Sequence, residues 1–175
     1  MSTTRMSTAR TTDVVVIGGG QAGLAMSRCL TDRSIDHVVL ERKEVANSWT
    51  TERWDSLRLL TPNWMSRLPG HRYHGSDPDG YMRAAEVTGF LEDYGAGFDA
   101  PVRTHTAVES VASTDSGFRT TTTTGVIDSS AVVVATGACS TPRVPAIASD
   151  LPGHVHQLTP IGYRNPAAVS EGRVL

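Results

Sequence analysis

Three short runs of apolar residues, at 14–17, 37–40 and 131–135, stand out along the chain. They are rich in Val and alternate little with polar residues, which is typical of parallel strands covered on both faces. Between the first two runs, residues 21–32 place small and apolar side chains at roughly helical spacing. Strand, helix and strand within about thirty residues predict a βαβ unit, whose crossover is almost always right-handed.

The pattern changes twice after this unit. Residues 42–80 are rich in Trp, Arg and Pro with little periodicity, so we expect irregular structure with one short helix packed over the first unit. Residues 81–94 place apolar side chains at helical spacing and predict a helix that is ended by Gly95 and Gly97. Farther along, β-branched residues, including the threonines at 120–124, alternate with turn residues and predict a small antiparallel meander.

The composition is that of an ordinary globular protein and argues against several classes of function. Hydrophobic residues make up 39% and charged residues 19%, and the formal net charge is -2. This charge gives no electrostatic reason to expect nucleic acid or an acidic membrane surface as a partner. No run approaches the roughly 18 apolar residues that span a membrane.

Cysteine and histidine give no sign of a metal site. Cys29 and Cys139 form no CxxC pair, and the His residues have no supporting Cys or carboxylate spacing. We therefore expect no metal, and a reducing, cytoplasmic location.

The first twelve residues contain Ser, Thr and Arg but no apolar run. A secretory signal needs an apolar stretch of about 7–15 residues, so we expect residues 1–12 to form a disordered tail instead. The globular part is then predicted to begin at residue 13.

A glycine motif follows the first strand. Residues 18–23, Gly-Gly-Gly-Gln-Ala-Gly, satisfy G-x-G-x-x-G. The motif alone is weak, but here it follows a strand, opens a helix and has an acid, Glu41, at the end of the next strand. In this pattern Gly18 permits the tight turn, Gly20 lets a pyrophosphate approach the backbone and Gly23 lets the helix pack closely on the strand. The context favours a dinucleotide site over the alternative, a tight turn without a ligand.

The ADP half of the dinucleotide is expected at the N-terminus of this helix. Free N–H groups there, including those of Gln21 and Ala22, and the partial positive charge of the helix dipole favour phosphates. Glu41 is placed to accept hydrogen bonds from ribose hydroxyls. Its charge would repel a 2′-phosphate, so NADP is disfavoured at this loop. These residues do not distinguish FAD from NAD.

Several other segments carry a resemblance to a known family. They are Glu41-Arg42, Asn47-Ser48-Trp49, Arg53-Trp54-Asp55-Ser56-Leu57-Arg58-Leu59-Leu60-Thr61-Pro62 and Ala135-Thr136-Gly137, followed by Leu151-Pro152-Gly153 and Tyr163-Arg164-Asn165-Pro166. Together they resemble the N-terminal FAD domain of flavin-containing monooxygenases and their bacterial relatives, with its linker to an NADPH domain. The resemblance covers residues 13–175. It implies an α/β fold, namely a Rossmann-like FAD-binding domain whose parallel sheet carries an antiparallel β-meander layer.

The same resemblance implies contacts to FAD. It places Gly18, Gly20, Gly23, Glu41 and Arg42 on the ADP moiety, with the backbone of Val108 near the adenine. It places Trp49, Arg53, Trp54 and Thr61 near the flavin, and adds Ser48, Ala135, Thr136 and Gly137 to the residues that hold the cofactor. No catalytic residue can be assigned.

Plain structural roles compete with some of these assignments. Trp49, Trp54 and Trp64 could be core aromatics, and for Trp64 this interpretation is favoured because aromatic burial dominates core energetics. Arg53 could be a solvated charge, but an Arg between two Trp also suits stacking and a fixed polar contact.

The C-terminal part departs from the family in two ways. The family's fingerprint before the NADPH domain has Phe, His and an aromatic residue at fixed spacing. Here Leu151 and Gln157 take the first two positions, and Tyr163 comes two residues late. The second departure is at residues 172–175, which resemble the opening of the strand at which the family's NADPH domain would start. The rest of that strand and the second G-x-G-x-x-G expected after it are not in this sequence.

We therefore expect a truncated chain, with an FAD-binding domain at 13–145 and a linker at 146–175 towards a missing NADPH-binding domain. In the intact family, NADPH reduces FAD, and the reduced flavin then uses oxygen to oxygenate a substrate. NADPH would serve this chain only if that domain is supplied elsewhere, for example by a companion chain in a split enzyme. The other alternative is a non-catalytic remnant that binds a dinucleotide only. The absence of a CxxC motif argues against the thioredoxin-reductase-like branch of such oxidoreductases, which needs a dithiol to receive electrons.

Overall fold

The computed structural model describes residues 10–138 and 140–172, and its centre is a six-stranded sheet. The strands lie in the order β5, β2, β1, β8, β7, β6. Their bounds are β1 Arg10–Ile17, β2 His37–Leu40, β5 Val102–Arg103, β6 Val108–Thr114, β7 Gly117–Thr122 and β8 Gly125–Val134.

The parallel part of the sheet is built from the three apolar runs. Residues 14–17 of β1 lie between residues 37–40 of β2 and residues 131–134 of β8, all parallel. Helix α1, Gln21–Thr31, connects β1 to β2, and β5 adds a short parallel edge strand beside β2. The predicted βαβ unit and α/β fold are confirmed, while the edge strand β5 was not predicted.

Strand β1 begins at Arg10, ahead of the predicted boundary at 13. Residues 10–12 continue the parallel pairing beside residues 127–129 of β8. Thr12 is buried, and its hydroxyl donates to the carboxylate of Asp36 at 2.8 Å. Threonine adopts extended backbone readily, so these residues belong to the sheet rather than to the predicted tail. Residues 1–9 of that tail lie outside the described part of the chain.

The predicted meander is present as β6, β7 and β8, which pair antiparallel. Its last strand continues into the third apolar run, because residues 125–129 of β8 pair with β7 and residues 131–134 pair with β1. Val108 of β6 packs against the buried cluster that contains Val15 and Val38. The start of β6 therefore packs against the parallel strands, and the predicted meander extends the same six-stranded sheet.

Helix α3, Ala84–Ala96, packs its buried side chains with Leu24 of α1 in one apolar cluster. The prediction that Gly95 ends this helix is wrong, because Gly95 lies inside it and Gly97 is the C-cap. A Cβ atom at Gly95 would lie 3.4 Å from the Leu24 side chain. That distance is an ordinary van der Waals contact, so α3 continues through Gly95 and packs against α1 there.

The segment between β2 and α3 is largely irregular with one short α-helix, as predicted. This helix, α2, spans Asn47–Thr51. A 3-10 turn at Asn63–Met65 and a hairpin of β3, Arg67–Leu68, and β4, His71–Arg72, follow it. Ala46, which precedes α2, is buried in the cluster shared by α1 and α3.

The connector after β8 contains two 3-10 turns, at Ala146–Asp150 and Pro166–Ala168. Cys139 and residues 173–175, with most of the predicted strand opening, lie outside the described residues. No helix in residues 10–138 and 140–172 is long and apolar enough to cross a membrane.

Candidate dinucleotide-binding site

The loop between β1 and α1 turns tightly at Gly18. Gly18 has φ +111, a conformation that favours glycine, and its N–H donates to the carbonyl of Leu40 at 2.8 Å. A Cβ atom at Gly18 would lie 2.5 Å from the carbonyl oxygen of Ala135. A Cβ atom at Gly23 would overlap the carbonyl oxygen of Gly18. Backbone packing thus requires glycine at both ends of the motif.

Gly20 differs from these two glycines. A Cβ atom there would meet no atom within 4 Å, so the fold itself leaves room for a side chain. Gly20 is the N-cap of α1, and among the described residues no side chain caps this helix end. Gln21 and Ala22, the first two helical residues, are exposed. Free N–H groups with open space in front of them are what a phosphate group requires.

Glu41 lies at the end of β2 and is tied to the glycine loop. One carboxylate oxygen accepts a hydrogen bond from the N–H of Gly19 at 2.7 Å, and the other accepts one from the N–H of Lys43 at 3.0 Å. Each carboxylate oxygen can accept two hydrogen bonds, so both retain an acceptor position. Glu41 is half-buried and can still receive hydrogen bonds from the solvent side.

Residues 135–137 complete this edge of the sheet. The N–H of Ala135 donates to the carbonyl of Ile17 at 2.8 Å, which holds the segment beside the start of the glycine loop. Thr136 and Gly137 follow as exposed residues, and Gly137 has φ +75. The glycine loop, Glu41 and residues 135–137 therefore meet at the carboxyl ends of β1, β2 and β8, where open α/β sheets bind their ligands.

Helix α2 begins at this same edge. The N–H of Ala46, its N-cap residue, donates to the carbonyl of Gly19 at 3.1 Å. Ser48 and Trp49 are half-buried on α2, and Trp49 packs against the cluster of α1 and α3. The guanidinium of Arg53 lies 5.4 Å from the Trp49 ring centroid, within cation–π distance. Arg53 thus stacks on Trp49, while its contact with a cofactor stays a prediction.

Three further residues from the irregular segment at 42–80 are exposed. Trp54 is 37% exposed and Thr61 is exposed. Trp64 is 49% exposed, so the prediction that it belongs to the core is wrong. The 3-10 turn that carries it directs Asn63 inwards instead, where the Asn63 amide bonds the carbonyl of Asp77 and the N–H of Met82 at 2.8 Å each. Those hydrogen bonds determine which side of the turn faces solvent.

Arg42 and Val108 lie beside the site rather than in the glycine loop. Arg42 is exposed, and its guanidinium pairs with the carboxylate of Glu52 at 3.0 Å. Val108 is half-buried on β6. Sequence reasoning missed Gly19 and Ala46, which tie the loop to Glu41 and to α2. The sequence signal for Gly19 is its place in the middle of three consecutive glycines, 18–20. Ala46 gives no sequence signal, because its φ of +57 is unusual for alanine.

Two surface grooves lie elsewhere. One, of about 420 Å³, runs between β4 and α3, and the other, of about 410 Å³, is lined by residues such as Arg58, Tyr81 and Arg83. Neither is lined by a residue of the glycine motif. The described residues contain no group of three or more His, Cys, Asp or Glu side chains that could hold a metal ion.

Several known proteins resemble this chain in sequence and fold. The family pattern described as pyridine nucleotide-disulphide oxidoreductase matches residues 15–169. The chain is 39% identical to the oxidoreductase named CzcO-like from Geobacillus kaustophilus, over 93% of this chain and 47% of that protein. A flavin-containing monooxygenase from Stenotrophomonas maltophilia superimposes with a TM-score of 0.68 and 31% identity, over 80% of this chain and 43% of that one. An oxidized steroid monooxygenase bound to NADP superimposes with a TM-score of 0.65 and 25% identity, over 78% of this chain and 28% of that one.

The chain therefore spans about half the length of the CzcO-like relative and less of the two structures. The matches confirm the resemblance drawn from the segments at 41–42, 47–49, 53–62, 135–137, 151–153 and 163–166. The chain belongs to the pyridine nucleotide-disulphide oxidoreductase family, with flavin-containing monooxygenases among its relatives.

Proposed function

We propose that this chain binds FAD and forms the FAD-binding part of a flavin-dependent oxidoreductase. The observation that carries the proposal is the contrast among the motif glycines. Gly18 and Gly23 are glycine because backbone atoms would collide with a Cβ, whereas a Cβ at Gly20 would meet nothing within 4 Å. A glycine that the fold does not need, at an uncapped helix N-terminus, suits a ligand that approaches the backbone.

The ADP half is assigned to the edge formed by the glycine loop and Glu41. The N–H groups of residues 21–23 would hold the pyrophosphate, and the dipole of α1 favours its charge. Glu41 would accept hydrogen bonds from the ribose hydroxyls on the acceptor positions that Gly19 and Lys43 leave free. Val108 and Arg42 would lie towards the adenosine, and residues 135–137 would line the opposite side of the pyrophosphate.

The flavin half is assigned to the end of α2. Ser48, Trp49 and Arg53 would border it, and Trp49 and Arg53 already form a stacked pair that a planar ring can extend. Trp54 and Thr61 are exposed and would contact the cofactor from the outer side.

FAD, when bound, would supply electron transfer and oxygen chemistry, while the residues of this chain bind and orient it. No second G-x-G-x-x-G sequence occurs in residues 24–175, so we assign NADPH to no residue of this chain. In the proposed whole reaction NADPH binds to protein beyond these residues, in the same or a companion chain. Residues 10–172 of this chain are proposed to provide the flavin site only.

The test is a titration of the 175-residue chain with FAD, ADP and FMN. FAD and ADP are expected to compete for the site. FMN lacks the AMP part of FAD and is expected to bind about tenfold more weakly than FAD, a difference of roughly 1.4 kcal/mol in binding free energy. A flavin absorption band that remains with the protein after gel filtration would support the proposal. Folded protein, judged by circular dichroism, that binds neither FAD nor ADP would overturn it.

A further inference from the structure

The connector after the meander makes a cluster of polar contacts with the C-terminal end of α2. The guanidinium of Arg164 donates to the backbone carbonyls of Thr51 at 2.8 Å and Thr50 at 3.4 Å, and also to that of Arg53. The last carbonyls of a helix have no partner within the helix. Arg164 supplies several donors from one planar group and a positive charge at the negative end of the helix dipole.

Asp55 fixes the same contact from the other side. Its carboxylate lies 3.7 Å from Nε of Arg164 and accepts a hydrogen bond from the side-chain amide of Asn165 at 2.7 Å. Its backbone N–H donates to the carbonyl of Arg164 at 2.8 Å. Arg164 and Asp55 therefore hold each other through both backbone and side chains.

Helix α2 depends on contacts at both ends. It has five residues, far fewer than an isolated helix needs to be stable in water. The N-terminal end is attached to the glycine loop through the N–H of Ala46 and the carbonyl of Gly19, at 3.1 Å. The C-terminal end is attached to the connector through Arg164. Trp49 lies between these two attachments, and Arg53, which stacks on Trp49, offers its own carbonyl to Arg164.

We propose that Arg164 is a positioning residue for the flavin half of the cofactor. This inference rests on the proposed function, in which Trp49 and Arg53 border the flavin. Arg164 fixes the backbone that carries both side chains and does not itself contact the glycine loop. The loop has separate attachments, through Gly18 to Leu40 and through Gly19 to Glu41. Loss of Arg164 should therefore disturb the flavin end of the site and leave the ADP end intact.

The experiment compares FAD and ADP affinities of the 175-residue chain and three variants. Arg164→Ala is expected to lower FAD affinity about 10-fold, in line with the loss of hydrogen bonds from a charged donor. Its ADP affinity should stay within about twofold of the unchanged chain, because Gly18 and Gly19 keep their attachments to Leu40 and Glu41, which do not involve α2. The visible circular dichroism and fluorescence of bound FAD should also change. Asp55→Ala should act in the same direction.

Arg33→Ala is the matched control. Arg33 also donates to a helix carbonyl, that of Cys29 at 2.9 Å, but it does so at the end of α1 remote from the glycine loop. It should leave both affinities unchanged. Retained ADP binding in Arg164→Ala shows that this variant is folded.

Three results would overturn the proposal in distinguishable ways. If Arg164→Ala binds FAD as tightly as the unchanged chain, the positioning role is wrong and the proposed function stands. If FAD and ADP affinities fall equally, Arg164 supports the whole domain rather than the flavin end. If the unchanged chain binds neither ligand, the proposed function and this inference both fall.

Discussion

The carboxylate of Glu41 accepts a hydrogen bond from the backbone N–H of Gly19 at 2.7 Å, which joins the end of β2 to the middle of the glycine loop. Its second oxygen accepts the N–H of Lys43 at 3.0 Å. Both oxygens are thus oriented by backbone donors. Glu41 therefore has two roles. It supports the glycine loop, which is proposed to hold the phosphates, and it is the proposed contact to the ribose.

Glu41→Ala should therefore weaken ADP and FAD binding together. We expect a loss of about 1–3 kcal/mol in each binding free energy, because a polar contact and a support of the loop are removed. The loss of negative charge should also make 2′-phospho-ADP a better ligand relative to ADP. Isothermal titration calorimetry with both nucleotides measures the two effects.

Glu44→Ala is the control for Glu41. Glu44 is a nearby acid whose exposed carboxylate pairs with His105 at 2.7 Å. Its removal should leave nucleotide affinity unchanged. If Glu41→Ala binds ADP as tightly as this control does, Glu41 does not contact the ribose.

Gly20→Val should abolish FAD and ADP binding without unfolding the protein. The fold leaves room for the new side chain, which would then occupy the proposed path of the pyrophosphate. Gly153→Val is the matched control, since a Cβ there also meets nothing within 4 Å, in the connector. Titration with ADP and thermal unfolding check the two halves of the prediction. A Gly20→Val variant that retains full affinity would show that the pyrophosphate lies elsewhere.

Gly23→Ala should instead destabilise the fold. Its Cβ would overlap the carbonyl oxygen of Gly18, so α1 must move away from β1. We expect the free energy of unfolding to fall by about 1–3 kcal/mol, which outweighs the gain in helix propensity of about 1 kcal/mol. Urea denaturation measures this change.

Gly89→Ala tests the same substitution in a helix without the collision. Gly89 lies within α3, and a Cβ there meets nothing within 4 Å. Its replacement should raise stability by up to about 1 kcal/mol. Equal effects of the two substitutions would mean that α1 does not need the close approach at Gly23.

The parts of this molecule that sequence predicts are those fixed by local chemistry. A strand, a glycine loop and an acid at the end of the next strand define the βαβ unit, and Gly18 and Gly23 make the turn and the close packing that their positions predict. The meander was predicted because turn residues interrupt β-branched ones. The continuity of the meander with the parallel sheet was not predicted. No local pattern shows that the last meander run and the apolar run at 131–135 form the single strand β8.

Contacts between distant residues were beyond sequence reasoning. Arg164 and Asp55 meet although more than a hundred positions separate them, and either could equally have been a solvated charge. Trp64 looked like a core residue by type, but the hydrogen bonds of Asn63 direct that turn the other way. Arg42 pairs with Glu52 because α2 brings Glu52 beside it. In each case the partner, rather than the residue itself, decides the environment.

Because of Tyr94, the stability of the fold is expected to decrease as the pH rises in the alkaline range. It is buried in the cluster of α1 and α3, and its hydroxyl donates to the carbonyl of Pro69 at 2.9 Å. Burial raises the pKa of Tyr94 above its ordinary value of 10.0, an effect that the charge of Arg28 partly offsets. The folded state therefore holds the phenol proton more tightly than the unfolded state does. The corresponding stability is fully present below about pH 10 and is lost as the pH rises through the folded-state pKa.

Tyr94→Phe removes this titration along with the hydrogen bond. At pH 8 the variant should be less stable by about 1 kcal/mol, because the carbonyl of Pro69 loses its donor. Between about pH 9 and 11 its free energy of unfolding should fall less steeply than that of the unchanged protein, so the two curves should converge. Urea denaturation across this range measures both effects, with the exposed Tyr81 replaced by Phe as the control. Parallel curves for Tyr94→Phe and the unchanged protein would show that the folded state does not retain the Tyr94 proton.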